Sequence, residues 1–499
     1  MILGGVLVLL AAVVLVLHWL RAGEPLALDQ GLFACFTRWP GSLPYRDLFD
    51  SKPPLFLYSW SLAAISPGDV PLSMWRLETV WLLGSMAATF AFVRRMAGDV
   101  AGVAAAALLV LGLWSPAWGG YWSRAQAEEL AVLPMMLAAG VALVPAGAAP
   151  SARRLILLGA LTGVVGLFKI PTMAVAAAWP MLWERQYAAK AACWLVLGLA
   201  LPWAAIAGWF AAHGAFGDFV DGVFRYHRYN AEFIAPPWLP TIATWARTIA
   251  TGVPELLVLA AAGLVFLPAR ERRFVGVWIA ATAVAVLLQR QLAGYQFLLV
   301  VPGLVVAAGC GVAALATRIR QWPAATIAGV AVALAVRAAI VWGHAYGPGL
   351  AYERGQLSRA AYLATFERGS PAPSEAVAAW IREHVPAGEH ILVWGTAPEI
   401  YALADRPPAT RYPFHKILMT EAPLSRLIPG LEGRRAELLA RIDRDRPAVI
   451  VVGRNDRNGF EPETSLEALV HWPELMNRVK GGYEPATEID NFMIFRRRP

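Results

Sequence analysis

Long apolar runs separated by short polar stretches fill roughly the first two-thirds of the chain and then stop. Windows of about 20 mostly apolar residues, the length a helix needs to span a bilayer, fall at 2–20, 71–93, 100–117, 126–146, 154–168, 171–183, 191–211, 251–268, 274–289, 295–316 and 323–342. That makes about eleven candidate spans, two of them short. From Gly343 onward the periodicities change to those of a small folded domain. Helical spacing over 374–384 leads to an apolar run at 390–394. A second helix–strand unit follows at 434–444 and 448–452, then a helix near 466–479 and two strands, 483–489 and 492–496, that close as a hairpin. The pattern predicts a polytopic α-helical membrane part, 1–342, with a large first outer loop at 21–70, and a soluble C-terminal α/β domain of Rossmann-like type, 343–499. No GxGxxG follows a strand in that domain, so a dinucleotide site is not expected.

Composition agrees with the pattern: 58% of residues are apolar and 16% charged, against about half and a quarter in a soluble domain. A disordered chain and an ordinary cytosolic enzyme are excluded. The net charge of +8 could suggest a nucleic-acid partner, but the basic residues sit after every second span, at Arg94–Arg95, Arg153–Arg154, Arg185 with Lys190, Arg270 with Arg272–Arg273, and Arg318 with Arg320. By the positive-inside rule these loops face the cytoplasm. The N-terminus is then cytoplasmic, the 21–70 loop lies outside, and an odd number of spans delivers 343–499 to the extracytoplasmic side. No nucleic acid is expected. Segment 1–20 lacks the basic start and small-residue cleavage site of a signal peptide and reads as a retained helix. Cys35, Cys193 and Cys310 lie too far apart for a disulfide framework or a CxxC site. The lack of a eukaryotic targeting signal, with an Ala-rich composition, points to a bacterial inner membrane.

The 21–70 loop is unusually long and polar, and such loops are most often functional. It carries Asp29-Gln30-Gly31 and then the run from Gly41 through Tyr45, Asp47, Asp50 and Lys52 to Pro53 and Pro54. The apolar stretch 55–65 is too short to span and lies along the interface or re-enters. The two prolines suit its first turn, where unpaired N–H groups favour an anion. A carboxylate at the membrane boundary, Asp29, can act as a general base or bind a divalent cation, and Lys52 can hold a phosphate. Interfacial anchoring accounts for both equally well. Glu128 and Glu129 open the fourth span, Lys169 breaks the fifth from the sixth, and Arg290, Tyr295 and Gln296 flank the ninth and tenth. Ionisable groups there are costly unless they line a watery cavity, and all face the same side as Asp29. For Arg290 and Arg76 a snorkelled anchor is the stronger alternative. The stretch 224–230 is aromatic and basic; it suits an anionic acceptor or lipid head groups, with an interfacial aromatic belt the favoured alternative. His213 and His227 are not spaced as metal ligands.

The boundary aspartate, followed by Gly41-x-x-Pro44-Tyr45-Arg46-Asp47-x-Phe49-Asp50-x-Lys52-Pro53-Pro54-Leu55, resembles the first outer loop of GT-C glycosyltransferases of the protein O-mannosyltransferase and lipid A aminoarabinose transferase type. Ala127-Glu128, 166–172, 295–302 and, in the tail, Val393-Trp394-Gly395 with 398–401 and 410–412 are similar to the same family. The chain departs from it in having Asp29-Gln30 where Asp-Glu is common, with the aspartate kept, and Tyr295-Gln296 where a His-Tyr pair is common. The resemblance implies transfer of a sugar from a polyprenyl-phosphate donor to a glycan, lipid or protein acceptor, with inversion and with surrounding membrane lipids as partners. It makes Asp29 the base, gives Lys52, Lys169 and Arg290 to the donor phosphate, and places Asp47, Asp50, Glu128, Tyr295 and Gln296 around sugar or acceptor. No cofactor is assigned beyond a divalent cation that Asp29 or Glu128 could hold, and no metal ligand set is assigned. The competing reading is a lipid or sugar transporter or flippase, against which stand the lack of an internal repeat and the clustering of polar groups at one face.

Overall fold

The computed structural model describes residues 2–145, 147–226, 238–289, 293–319, 324–366, 371–418, 430–457 and 463–499. Helix α1 (Ile2–Arg21) is apolar to its last turn, where His18 and Arg21 complement the negative end of the helix dipole. The 21–70 stretch carries two helices where the apolar pattern points to one. α2 (Leu28–Arg38) starts with Asp29 in its first turn, and Gln30 Oε1 accepts from the Ala27 N–H at 2.7 Å. Both features satisfy the positive end of a helix. Its eleven residues interleave Asp29, Gln30 and Thr37 with buried Phe33, Ala34 and Phe36, so no continuous apolar run marks it. α3 (Pro54–Ala63) begins after Pro53 as the two prolines predict.

α4 (Val70–Ala97), capped by Asp69 Oδ1 on the Leu72 N–H at 2.8 Å, and α5 (Asp99–Leu113) follow the expected second and third spans. Several of the later expected spans are interrupted. The fourth divides into Ala127–Leu130 and Val132–Ala142, the sixth is a 3₁₀ run, Ile170–Leu182, with Pro180 inside it, and the tenth is a 3₁₀ turn, Gly294–Leu299, leading into Val301–Ile319. The eleventh continues beyond 342 as one helix, Ala324–Glu353. Among the described residues, three helices are by themselves long and apolar enough to cross a membrane, Gly4–Arg21, Ala191–Ala212 and Val301–Ile319, while Asp99–Leu113 and Ile170–Leu182 are apolar but shorter. Arg185, Lys190 and Arg320 belong to the topology argument alone, since nothing is described of their side chains.

Helices Ala152–Phe168 and Ala188–Ala212 cross at backbone distance because glycine stands at the crossing. A Cβ on Gly159 would collide with Leu195 O, one on Gly198 with Ile156 O, and one on Gly163 would come within 2.6 Å of Leu199 O. Gly159 and Gly163 form a GxxxG pair, the small-residue spacing that lets apolar helices approach when burial alone cannot drive them together.

In the tail, a four-stranded sheet runs in the order β1-β2-β4-β3, with β1 Ile391–Trp394, β2 Val449–Gly453, β3 Tyr483–Ile489 and β4 Phe492–Arg497. β1 and β2 are parallel, with Ile391 opposite Val449, as expected of two helix–strand units. The expected hairpin β3–β4 adds antiparallel strands, so the sheet is mixed. The single helix expected near 466–479 is two, Ser465–Val470 and Pro473–Gly482, separated where Pro473 starts a new first turn. The tail is seated on the bundle. Helix Glu399–Ala404 packs on α2, where the missing side chain of Gly31 leaves room for the Glu399 backbone.

Filling the helix crossing tests its tightness. Gly159→Leu is expected to destabilise the protein by at least about 2 kcal/mol, read as a lower melting temperature in detergent. Gly276→Leu, inside a helix at a position with nothing within 4 Å, is the control and is expected to lose no stability.

Candidate active site

Asp29 stands half-buried at the head of α2, and the Tyr295 hydroxyl donates to its Oδ2 at 3.0 Å. Tyr295 comes from the 3₁₀ turn Gly294–Leu299, a segment remote in sequence, so this one bond joins the 21–70 stretch to the turn that leads into helix Val301–Ile319. The Lys52 ammonium lies 5.8 Å from the centre of the Phe33 ring and 6.0 Å from that of Tyr295. Burial disfavours its charge, but the Asp29, Asp50 and Glu128 carboxylates outweigh that and raise its pKa. Lys52 is therefore a fixed cation. Lys169, at the end of helix Ala152–Phe168, reaches Glu128 Oε1 at 2.9 Å, and both side chains are almost fully buried. Glu128 Oε2 has no partner among the described residues. A buried carboxylate oxygen left bare is costly, which marks it as a place for a donor from outside the chain. Gln296 is buried and stands on the same 3₁₀ turn as Tyr295.

Sequence reasoning singled out Asp29, Lys52, Glu128, Lys169 and Tyr295 separately, and the fold brings them to one place. The loop aspartates stand differently. Asp47 Oδ2 accepts from the Leu43 N–H at 2.8 Å and its carboxylate pairs with Arg46, so it closes its own turn. Asp50 Oδ1 accepts from the Lys52 N–H at 2.7 Å. Burial pushes the Asp50 carboxyl up to about 6, with Lys52 opposing the shift. Arg290, and the stretch 227–230 with His227, lie outside the described residues. Arg76 donates to Ser66 Oγ at 3.2 Å and to Pro67 O, holding the turn before α4. Gln30 is fully buried, and its Nε2 donates to Tyr121 O at 2.8 Å and Arg124 O at 3.0 Å. A glutamate there would face two carbonyls with no proton to give, so the departure from Asp-Glu is matched by its surroundings.

Behind the site lies a buried charge network that sequence reasoning missed. Arg124, with no exposed side-chain surface, donates to Glu78 Oε2 through Nε at 2.9 Å, and through Nη1 to Arg21 O at 2.7 Å and Glu24 Oε2 at 3.2 Å. Arg21 Nε donates to Glu24. Ala125, in the left-handed region at φ 49°, donates its N–H to both Glu78 Oε1 and Glu129 Oε2 at 3.0 Å, and Trp114 Nε1 holds Glu129 Oε1 at 2.9 Å. Glu129 is thereby structural, and its neighbour Glu128 is left to face Lys169. The signal available in sequence was Glu78, a lone carboxylate inside the second span.

Among the described residues, no group of three His, Cys, Asp or Glu side chains is placed to hold a metal ion. Two lysines occupy the ground around Asp29 and Glu128, and the donor set does not fit a divalent cation held by the protein alone. A separate cavity of about 560 Å³ opens between α2, the start of α4 and the tail, lined by Glu24, Arg38, Asp69, Arg359, Glu375 and Arg382 among others; none of Asp29, Lys52, Glu128, Lys169 or Tyr295 lines it.

No family model matches the chain, and no curated protein sequence matches it. Solved structures do. ArnT from Cupriavidus metallidurans bound to undecaprenyl phosphate superposes with a TM-score of 0.63 at 15% identity, over 98% of this chain and 98% of that one. The apo state of the same protein gives 0.57 at 15% identity, over 98% and 97%. The archaeal oligosaccharyltransferase AglB from Archaeoglobus fulgidus, in complex with an inhibitory peptide and a dolichol-phosphate, gives 0.51 at 14% identity, over 99% of this chain and 74% of that one. At these identities the likeness establishes a shared fold.

The raised pKa of Asp50 sets a pH test. In an unfolded chain an aspartate titrates near 4, so the folded state holds this proton more tightly and ionising Asp50 costs stability. The cost is absent below about pH 4, grows as the pH rises, and is complete above the folded value of about 6. Asp50→Asn keeps an oxygen for the Lys52 N–H and removes the titration. The variant is expected to be more stable than the wild type by up to about 3 kcal/mol near pH 7.5 and to lose that advantage near pH 4. Detergent melts at the two pH values check this; a difference that does not change with pH refutes it.

Proposed function

We propose that this chain, which has the GT-C fold of these glycosyltransferases, is itself a membrane glycosyltransferase that moves a sugar from a polyprenyl-phosphate donor to an acceptor on the extracytoplasmic side of a bacterial inner membrane. The observation that carries the reading is the placing of a half-buried carboxylate, Asp29, beside a fixed cation, Lys52, with Tyr295 contacting both. The polyprenyl phosphates named in the ArnT and AglB structures supply the donor class. A polyprenyl tail remains in the bilayer while its phosphate reaches Lys52. The first outer loop and the tail then lie outside, and the N-terminus lies inside.

In this reading the acceptor hydroxyl binds at Asp29 Oδ1, because Tyr295 occupies Oδ2. Asp29 takes the hydroxyl proton as the acceptor oxygen attacks the anomeric carbon. The bond from that carbon to the phosphate oxygen breaks on the opposite face, and its electron pair leaves on the polyprenyl phosphate. One displacement with one base inverts the anomeric centre. The electrostatic demand is the charge that builds on the departing phosphate, and Lys52 meets it. Lys169 holds Glu128 by its Oε1, and the bare Glu128 Oε2 accepts from a sugar hydroxyl. The acceptor is a glycan, a lipid or a protein of the cell envelope. The transport alternative gains nothing from a fold shared with transferases.

Asp29→Asn is expected to reduce transfer at least about 1,000-fold, within the range lost when a general base or a key charge is removed, while the protein still reaches the membrane in normal amount. Consumption of labelled polyprenyl-phosphate sugars by membranes carrying each form checks this; near wild-type turnover refutes the role of Asp29. Lys52→Ala is expected to weaken use of the lipid donor, and unchanged donor dependence refutes its phosphate role.

A further inference from the structure

Lys52 does not lie on a helix, and a cation on a loop holds a phosphate well only if its backbone is fixed. Both backbone polar groups of Lys52 are taken. Its N–H goes to Asp50 Oδ1, and its carbonyl accepts from the Tyr45 hydroxyl at 2.8 Å. Tyr45 is fully buried. Its ring lies 5.5 Å from that of Phe210 and 6.1 Å from that of Phe219, against the bare Cα of Gly222, where a Cβ would collide with the ring.

The backbone of Tyr45 is held in its turn. Its φ of 71° lies in the left-handed region, which a non-glycine residue occupies only when its surroundings impose it. The Tyr45 N–H donates to Leu48 O at 2.7 Å, and its carbonyl accepts from Arg411 Nη1 at 3.1 Å. Arg411 belongs to the tail. Its Nη1 also reaches Asp218 Oδ1 at 2.7 Å, its Nε reaches Glu437 Oε2 at 3.0 Å, and its carbonyl accepts from the Phe49 N–H at 2.7 Å. Phe49 is packed into the core of the tail with Tyr412 and Tyr226, and Arg434 lies 4.7 Å above the Phe49 ring while pairing with Asp221.

We infer that Arg411 and Tyr45 are positioning residues for the lipid phosphate: the tail grips the 43–50 loop through Arg411, and the Tyr45 hydroxyl transmits that grip to the backbone of Lys52. This deepens the proposed function and rests on Lys52 as the phosphate-holding group. Neither residue touches the lipid. Each acts on it only through Lys52.

The test uses full-length protein in detergent, with undecaprenyl phosphate as probe and undecaprenol, which lacks the phosphate, as its control; binding is read from tryptophan fluorescence. Tyr45→Phe keeps the ring and removes the hydroxyl. It is expected to weaken undecaprenyl phosphate binding about fivefold to tenfold and to leave undecaprenol unchanged. Lys52→Ala is expected to lose at least as much, and the double variant no more than Lys52→Ala alone, because one residue acts through the other. Arg411→Lys, which cannot hold Tyr45 O, Asp218 and Glu437 together, is expected to give the same phosphate-selective loss and carries the test if Tyr45→Phe does not purify. Wild-type affinity in Tyr45→Phe and Arg411→Lys beside a weakened Lys52→Ala overturns the inference, as does equal weakening of both lipids, which a merely structural role would produce. A wild type that does not distinguish the two lipids, or a Lys52→Ala of full affinity, overturns the phosphate reading itself.

Discussion

A fully buried guanidinium governs how the helix ends around the candidate site meet. Arg124 sits in a region that water does not reach, and a charge there is tolerated only if every donor finds an acceptor. Its partners come from two parts of the chain remote from its own 119–126 turn, the end of α1 with the turn after it (Arg21 O and Glu24) and the middle of α4 (Glu78), so that three parts meet at one group. Removing any one would strand a charge, so the three are locked as a set. The turn delivers Ala125 in a left-handed conformation and starts the next helix with Glu129 tied down and Glu128 released toward Lys169. The same turn offers Tyr121 O and Arg124 O to Gln30, which sets the start of α2 and with it Asp29.

The working end of the molecule is thus a surface assembled on rigid backing. Asp29 is fixed from behind by Gln30 and from the front by Tyr295, whereas Lys52 is fixed by its own loop and, through Arg411, by the tail. These are different kinds of support. The first is internal to the bundle and depends on groups sheltered from solvent. The second crosses between two parts of the chain through a partly exposed ion pair, Arg411 with Asp218, and pairs of that kind are weaker and more sensitive to salt.

Much of the fold was legible because hydrophobic length and periodicity are local properties. α1, α4, α5 and helix Ala152–Phe168, the parallel pair β1–β2 and the β3–β4 hairpin follow directly from them. Interruptions were less legible. Ile170–Leu182 and Gly294–Leu299 read as ordinary apolar segments, because a 3₁₀ turn and an α-turn share composition and differ in what packs against them. α2 was hidden by its polar half, since both its faces are satisfied by tertiary partners. In the site, Asp29, Lys52, Glu128, Lys169 and Tyr295 drew attention as ionisable or polar groups at membrane boundaries, which is a local signal. Arg124, Glu78 and Arg411 did not acquire roles, because each acts by reaching a residue tens or hundreds of positions away, and Tyr45, only seven residues from Lys52, did not because its own backbone is held by Arg411. Only the folded chain brings those partners together.

Gly31 carries a wider consequence. Its bare Cα is the floor on which the backbone of Glu399 rests, next but one to Asp29 along α2, and the Glu399 carboxyl, bonded to Ser374 Oγ at 2.6 Å, is pushed by burial up to about 7. Helix α2 is therefore shaped on one side by the bundle and on the other by the tail, and it belongs to neither alone. In evolutionary terms the boundary between the two parts is not a seam at which pieces could be exchanged. A recombined tail would have to arrive with a matching α2, and inheritance of the two as one block is the pattern this packing imposes.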